Sequence, residues 1–196
     1  MMPRNFILLF LFFTFCNYSF AQTTAPGYYI SLSNDSIPIQ IKMPKSVFGS
    51  VDFSKFLFKV EVQDSNNNLK KFKPEDIKRF GFIYNGEVFS LFSKPIFTET
   101  TLRFLEPTVL GEKSSLYQFQ TYDQNGAPLG TFYTLEKNDG TFAFVTTGLK
   151  SLDKFKNLLK EFYQESPDLL QLIDSRFKER KSIQADMIEL VEAANN

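Results

Sequence analysis

The chain has 196 residues, with 22 basic and 22 acidic side chains, and carries no polybasic field that would draw nucleic acid or anionic lipid. It has no His, no Trp and one Cys, Cys16, close to the amino terminus. Beyond that position, thiol nucleophiles, Ser-His-Asp triads, His/Cys zinc sites and His- or Cys-ligated haem all lack their residue types. Carboxylate chemistry, Lys or Tyr as base and oxygen-ligated calcium remain, and no cofactor is expected.

The first segment reads as a secretory leader. Arg4 gives a positive start, Phe6 to Phe13 is an unbroken apolar run, and Ser19-Phe20-Ala21 presents small residues at the two positions a signal peptidase reads. Cleavage is expected between Ala21 and Gln22. The apolar run is too short for a transmembrane helix, which needs about 20 residues, and no later segment is long and apolar enough to span. A lipidated Cys needs small residues directly before it, whereas Phe13-Thr14-Phe15 precede Cys16, so this thiol reads as inert. The expected product is residues 22–196, a single domain at the periplasm, the cell surface or beyond. It holds one more acid than base and no disulfide, so packing alone must stabilise it.

From Gly27 to about Thr147 the pattern is that of strands. Tyr28, Ile30 and Leu32 alternate before a turn at Asn34-Asp35, and Ile37, Ile39 and Ile41 alternate after it. Pro38 cannot donate to a ladder, which predicts a sheet edge or a bulge there. Phe56, Phe58, Val60 and Val62 alternate with Leu57, Lys59, Glu61 and Gln63, predicting one strand across the whole run. Asp64–Asn68 is a polar loop, and Lys73-Pro74-Glu75-Asp76-Ile77 reads as one helical turn between strands. Asn85-Gly86 predicts a two-residue hairpin with Tyr84 opposite Glu87, Phe82 opposite Phe89 and Phe80 opposite Leu91. Asn125-Gly126 and Asn138-Asp139-Gly140 separate the later runs 116–122, 131–136 and 141–147 in the same way.

The period then changes. Ser151 is placed to cap a helix carrying Leu152, Phe155, Leu158, Leu159 and Phe162 on one face. Ser166-Pro167-Asp168 opens a second, with Leu169, Leu170, Ile173 and Phe177. Ser182 begins a third with Ile183, Met187, Leu190 and Val191. The fold class is therefore α+β, an antiparallel β-meander of about eight to ten strands over 27–147, strongly twisted or sandwich-like. Two or three helices over 151–193 follow it. Most of the Phe residues outside the leader fall on inward phases, each contributing roughly 1.5–3 kcal/mol when buried.

Few residues suggest chemistry. Glu99, Glu106, Glu61, Glu87, Asp123 and Glu136 lie on or near strands, but no spacing singles out a pair for glycoside hydrolysis, which needs two carboxylates about 5–9.5 Å apart. Asp64-Ser65-Asn66-Asn67-Asn68 is oxygen-rich yet lacks the glycine and terminal Glu of an EF-hand loop. Asp35-Ser36-Ile37 matches an Asp-Ser-aliphatic O-glycosylation acceptor at Ser36, and Asn34-Asp35-Ser36 is formally an Asn-x-Ser sequon. Lys154, Lys156, Lys160, Arg176, Lys178, Arg180 and Lys181, interspersed with Glu161, Glu165 and Glu179, predict a salt-bridged solvated face.

Pro26-Gly27-Tyr28-Tyr29-Ile30 with Asn34-Asp35-Ser36-Ile37 resembles the opening of a family of uncharacterised exported proteins common in Bacteroidetes. Lys73-Pro74-Glu75-Asp76-Ile77 with Phe80-Gly81-Phe82 resembles the family's "P-x-D-I-x-G-F" turn. Phe104-Leu105-Glu106, Gly111 and Leu116-Tyr117 resemble its "FLE…G…LY" segment, which a helical tail follows. The resemblance implies an exported compartment and this fold, and no catalytic residue. In similar proteins the module sometimes precedes a membrane barrel. The functional expectation is a non-catalytic binding or interaction module of the bacterial cell envelope, with an envelope protein or glycan as partner. The alternatives are a carboxylate-dependent hydrolase of an envelope polysaccharide and an accessory partner of an outer-membrane barrel.

Overall fold

The computed structural model describes residues 24–46, 49–64, 66–122, 128–146 and 151–196. Cys16, the Ala21–Gln22 junction, Ser65, Asp123, the Asn125-Gly126 turn and Thr147 lie outside them. Ten strands form one antiparallel sheet: β1 (Thr24–Ser31), β2 (Ser36–Lys42), β3 (Val60–Gln63), β4 (Leu69–Phe72), β5 (Ile77–Tyr84), β6 (Glu87–Ile96), β7 (Thr98–Val109), β8 (Ser114–Tyr122), β9 (Pro128–Lys137) and β10 (Phe142–Thr146). Helices α1 (Leu152–Phe162), α2 (Pro167–Arg176) and α3 (Ile183–Asn195) follow, so the α+β meander with a helical tail is the observed fold.

The strand order is β10-β9-β8-β7-β6-β5-β1-β2-β3-β4. Two meanders therefore meet where β5 pairs with β1 rather than with β4. Three strands lie between β4 and β5 in this order, which in a flat sheet would separate them by about 19 Å. Yet only the Lys73–Asp76 turn joins them, closed by the Asp76 amide on the Lys73 carbonyl at 3.0 Å, and such a turn brings its ends within about 7 Å. The first half of the sheet must curl. Rings on β1 and β4 accordingly meet, with Tyr29 and Phe72 centroids 4.7 Å apart.

The Asn85-Gly86 hairpin has the expected register, Tyr84 with Glu87, Phe82 with Phe89 and Phe80 with Leu91. Both turn residues adopt positive φ, 51° and 84°, which suits Asn and Gly and matches the twist of the flanking strands. The Asn138-Asp139-Gly140 turn is a three-residue loop in which only Gly140 takes positive φ, 86°, with the Lys137 amide on the Thr141 carbonyl at 2.8 Å.

The curled half encloses Ile39, Ile41, Val60, Val62, Ile77, Phe80, Phe82 and Phe104. The helices cover Leu116, Tyr133, Leu135 and Val145 of the other half with Phe155, Leu159, Ile173, Phe177, Met187 and Leu190. A third, smaller cluster of Ile96, Leu105 and Tyr117 is flanked by Leu57, Phe92, Phe119 and Phe144. Over that face the end of β6 folds back, where Lys94 pairs with Glu136 and the Thr134 hydroxyl donates to the Pro95 carbonyl at 3.0 Å.

Four local expectations are corrected. The Phe56–Val62 run is not one strand. Asp52 accepts the Ser54 amide at 3.2 Å and starts a 3₁₀ turn over Phe53–Leu57, so a side-chain cap outcompetes the ladder and the strand begins only at Val60. Phe56 is then buried while Phe58 is exposed, its ring 4.8 Å from the Arg103 guanidinium. In β1 the inward phase is Ala25, Gly27 and Tyr29, because these lie opposite Ile41, Ile39 and Ile37, and opposed residues share a face. Leu32 belongs to the turn and is exposed. Lys73–Asp76 is a hydrogen-bonded turn rather than helical, with the Asp76 carboxylate accepting the Lys73 amide at 2.7 Å. Pro38 sits in an interior strand, but β3 pairs only with Gln40 and Ile41, so the ladder on that side stops short of it.

In the helical layer Ser151 caps α1 by accepting the Lys154 amide at 3.4 Å. Leu158 is the one expected inward residue of α1 that lies exposed. Ser182 precedes α3 and donates to the buried Asp186 carboxylate at 2.6 Å. The side chain of Asn195 pins α3 to the β7–β8 turn, accepting the Lys113 and Ser114 amides at 2.9 and 3.2 Å and donating to the Ser114 carbonyl at 2.8 Å.

Candidate groove on the sheet

The 3₁₀ turn that replaces the start of the expected strand builds a groove. With Phe56 drawn into the core, Phe53 is left on the rim, 39% exposed. Its ring stacks on Phe89 at 5.1 Å and meets Tyr84 edge-on at 5.9 Å. Facing this wall are Glu106 of β7 and Gln118 and Gln120 of β8, while Phe89, Leu91 and Phe104 form the floor. Glu106 and Gln118 are cross-strand partners. The cavity measures about 260 Å³ and includes Ser54 in its lining. Phe119, on the opposite phase of β8 from Gln118 and Gln120, stacks on Phe132 on the other face of the sheet, 4.8 Å between centroids.

Chemically this is an open slot with an aromatic wall of Phe53 and Phe89 on one side and the amides of Gln118 and Gln120 with the Glu106 carboxylate on the other. Aromatic faces accept the C–H faces of a sugar ring, and Gln, Ser and Glu side chains supply donors and acceptors for hydroxyl groups. Among the described residues, Glu106 is the one ionisable group in the lining.

The other carboxylates read from the sequence do not join it. Glu99 is seven residues from Glu106 on β7, about 20 Å along the strand. Glu87 lies at the β5–β6 turn opposite Tyr84. Glu136 is engaged by Lys94. Glu61 is held between Lys42 and Lys59, each at 3.2 Å. Burial pushes the Glu61 carboxyl up, but hydrogen bonds from Lys59 and Lys42 outweigh it and hold its pKa below the ordinary value.

Asp64 serves its own loop. The Asn68 and Asn66 amides donate to it at 3.0 and 2.9 Å, and with the Asn68 side chain they keep its pKa low. No group of three or more acids fit to hold a metal occurs among the described residues. Ser36 opens β2 on an exposed turn, where Asp35 accepts the Ser33 hydroxyl at 2.8 Å and Lys78 donates to the Asn34 side chain at 2.6 Å. The basic side of the helices is salt-bridged as expected, with Lys156 and Lys160 on Asp174 at 3.2 and 2.7 Å and Arg176 on Glu189 at 2.7 Å. No helix among the described residues is long and apolar enough to cross a membrane.

Sequence reasoning placed Glu106 on a strand and missed the rest of the groove. Phe53, Phe89, Gln118 and Gln120 come from three segments, and only the Asp52-Phe53-Ser54 cap signal was locally available. In comparisons with known proteins, no family model matches the chain, and neither a curated protein nor a solved structure matches it.

Proposed function

We propose that this chain is an exported, non-catalytic binding module of the bacterial cell envelope, and that its groove takes a glycan. The observation that carries the reading is the groove itself, an aromatic wall of Phe53 and Phe89 facing a row of Gln and Glu side chains. A sugar ring lies flat on Phe53, and its hydroxyls reach Gln118, Gln120 and Glu106. Among the described residues the lining holds one carboxylate, which favours retention of the glycan over its hydrolysis, since that calls for a second acid across the bond. The leader pattern ending at Ala21-Gln22 and the likeness to exported Bacteroidetes proteins support the compartment.

The test is a glycan array probed with the protein purified after export from a bacterial host, followed by calorimetry on the best binder. The reading expects saturable binding that Phe53→Ala and Gln118→Ala each weaken about two- to tenfold, with the far-ultraviolet spectrum unchanged. Release of reducing ends from the bound glycan, or binding indifferent to both substitutions, would refute it.

A further inference from the structure

On another side of the 3₁₀ turn lies a second concavity, of about 330 Å³, lined by Lys42, Lys45, Lys55 and Lys59 with Met43, Pro44, Phe56 and Glu61. The four lysines come from four places: the end of β2, the loop beyond it, the 3₁₀ turn and the residue before β3. They set four ammonium groups against one carboxylate in the lining, in a chain whose charges balance overall. The floor is built, since Met43 and Phe56 are 2% and 1% exposed. Two ammonium groups are fixed by one acid, with Lys42 and Lys59 each 3.2 Å from an oxygen of Glu61. Lys55 is fixed as well, donating to the Lys45 carbonyl at 2.5 Å and lying 3.8 Å from Asp52.

We infer that this pocket binds a phosphate monoester. Four ammonium groups stand against Glu61 in the lining and Asp52 beside Lys55, so their mutual repulsion is met only in part by these acids, and a doubly charged group entering the pocket offsets more of it. Lysine ammoniums act as point charges on phosphate oxygens, and three or four of them satisfy a phosphate without bidentate geometry. Glu61 positions Lys42 and Lys59 through its two oxygens, and each ammonium keeps further donors for a phosphate oxygen. The pocket is separate from the groove, sharing only the buried Phe56, so either site stands if the other fails.

The experiment is a calorimetric and NMR titration of the protein with glucose 6-phosphate, glucose and inorganic phosphate at several salt concentrations. Vesicles of phosphatidic acid and of phosphatidylcholine are run in parallel. Saturable binding of glucose 6-phosphate but not glucose, falling with salt, supports the inference. Binding should weaken about tenfold in Lys59→Gln and in Lys42→Gln, each removing a charge-assisted bond. Lys70→Gln and Lys71→Gln, on β4 outside the pocket, should leave it unchanged. Preferential sedimentation with phosphatidic acid vesicles, abolished by the same two pocket substitutions, would assign the phosphate to a lipid headgroup. Binding of glucose 6-phosphate without vesicle retention would assign it to a soluble ligand. No saturable binding to any phosphate probe, or equal losses from the β4 and pocket substitutions, would overturn the inference.

Discussion

Asn195 near the chain's end holds α3 against the sheet, and its removal gives a sharp test of the packing. Its side chain makes four hydrogen bonds: to the Lys113 and Ser114 amides, the Ser114 carbonyl and the Val191 carbonyl at 2.7 Å. The bond to Lys113 is exposed and water replaces it, whereas the other three are partly buried. At roughly 1 kcal/mol net for each of those three, Asn195→Ala should cost about 3 kcal/mol. For a chain of this length that is a fall in Tm on the order of 10 °C. The same side chain explains Gly111. A Cβ added there would sit 2.1 to 2.2 Å from the Asn195 amide group, which its hydrogen bonds prevent from moving aside. Gly111→Ala should therefore destabilise the native protein by a comparable amount. In the Asn195→Ala background it should cost little, since the obstructing group is gone. The assay is a double-mutant cycle from urea unfolding. Additivity of the two single effects to within about 0.5 kcal/mol would refute the contact.

Tyr163 is buried beside Ser114, 2.9 Å from its hydroxyl, and burial pushes its pKa up to about 12 despite that bond. A raised folded-state pKa means the full contribution is present below pH 10 and is lost as the pH rises toward 12. The two-unit shift amounts to about 3 kcal/mol, read as the share of the fall in urea midpoint over that window that Tyr163→Phe removes, with Tyr117 and Tyr133, whose pKa values burial also raises, contributing to the rest. Gly27→Ala should be costlier than Gly81→Ala by thermal melts. The first Cβ would lie 2.4 Å from the Gly81 carbonyl oxygen, which is backbone, while the second would meet the Tyr28 ring at 2.8 Å, and that ring can turn. Ser36, exposed at the start of β2, should carry a hexose-bearing mass increment in protein from its native host, and mass spectrometry finding it unmodified ends that expectation.

Legibility followed the range of the interaction. The Asn85-Gly86 hairpin was readable to the residue because turn chemistry and the Phe80, Phe82, Phe89 and Leu91 pattern lie within a dozen positions. The helices were readable from their spacing, and their burial matches it at Phe155, Leu159, Ile173 and Met187. Phe56 to Val62 misled because alternation alone cannot show that the Asp52 carboxylate will claim a backbone amide. The β1–β5 pairing was invisible, since it joins Gly27 to Phe82 across the whole first meander. It also accounts for two of the glycines in the motifs, because at Gly27 the β5 backbone leaves no room for a Cβ and at Gly81 the Tyr28 ring of β1 occupies its place. The groove and the lysine pocket were hidden for the same reason. Each is assembled by the curl of the sheet and the 3₁₀ turn from residues that share no local period.

The proposed glycan groove is most directly tested by saturation-transfer difference NMR with a mixture of envelope oligosaccharides. The chain has no Trp and no His, so its aromatic protons come from Phe and Tyr alone and can be irradiated selectively. Binding in the groove predicts strong transfer to the C–H protons of one sugar face, lost in Phe53→Ala. Absence of transfer to any oligosaccharide, or transfer unchanged in Phe53→Ala, would contradict it.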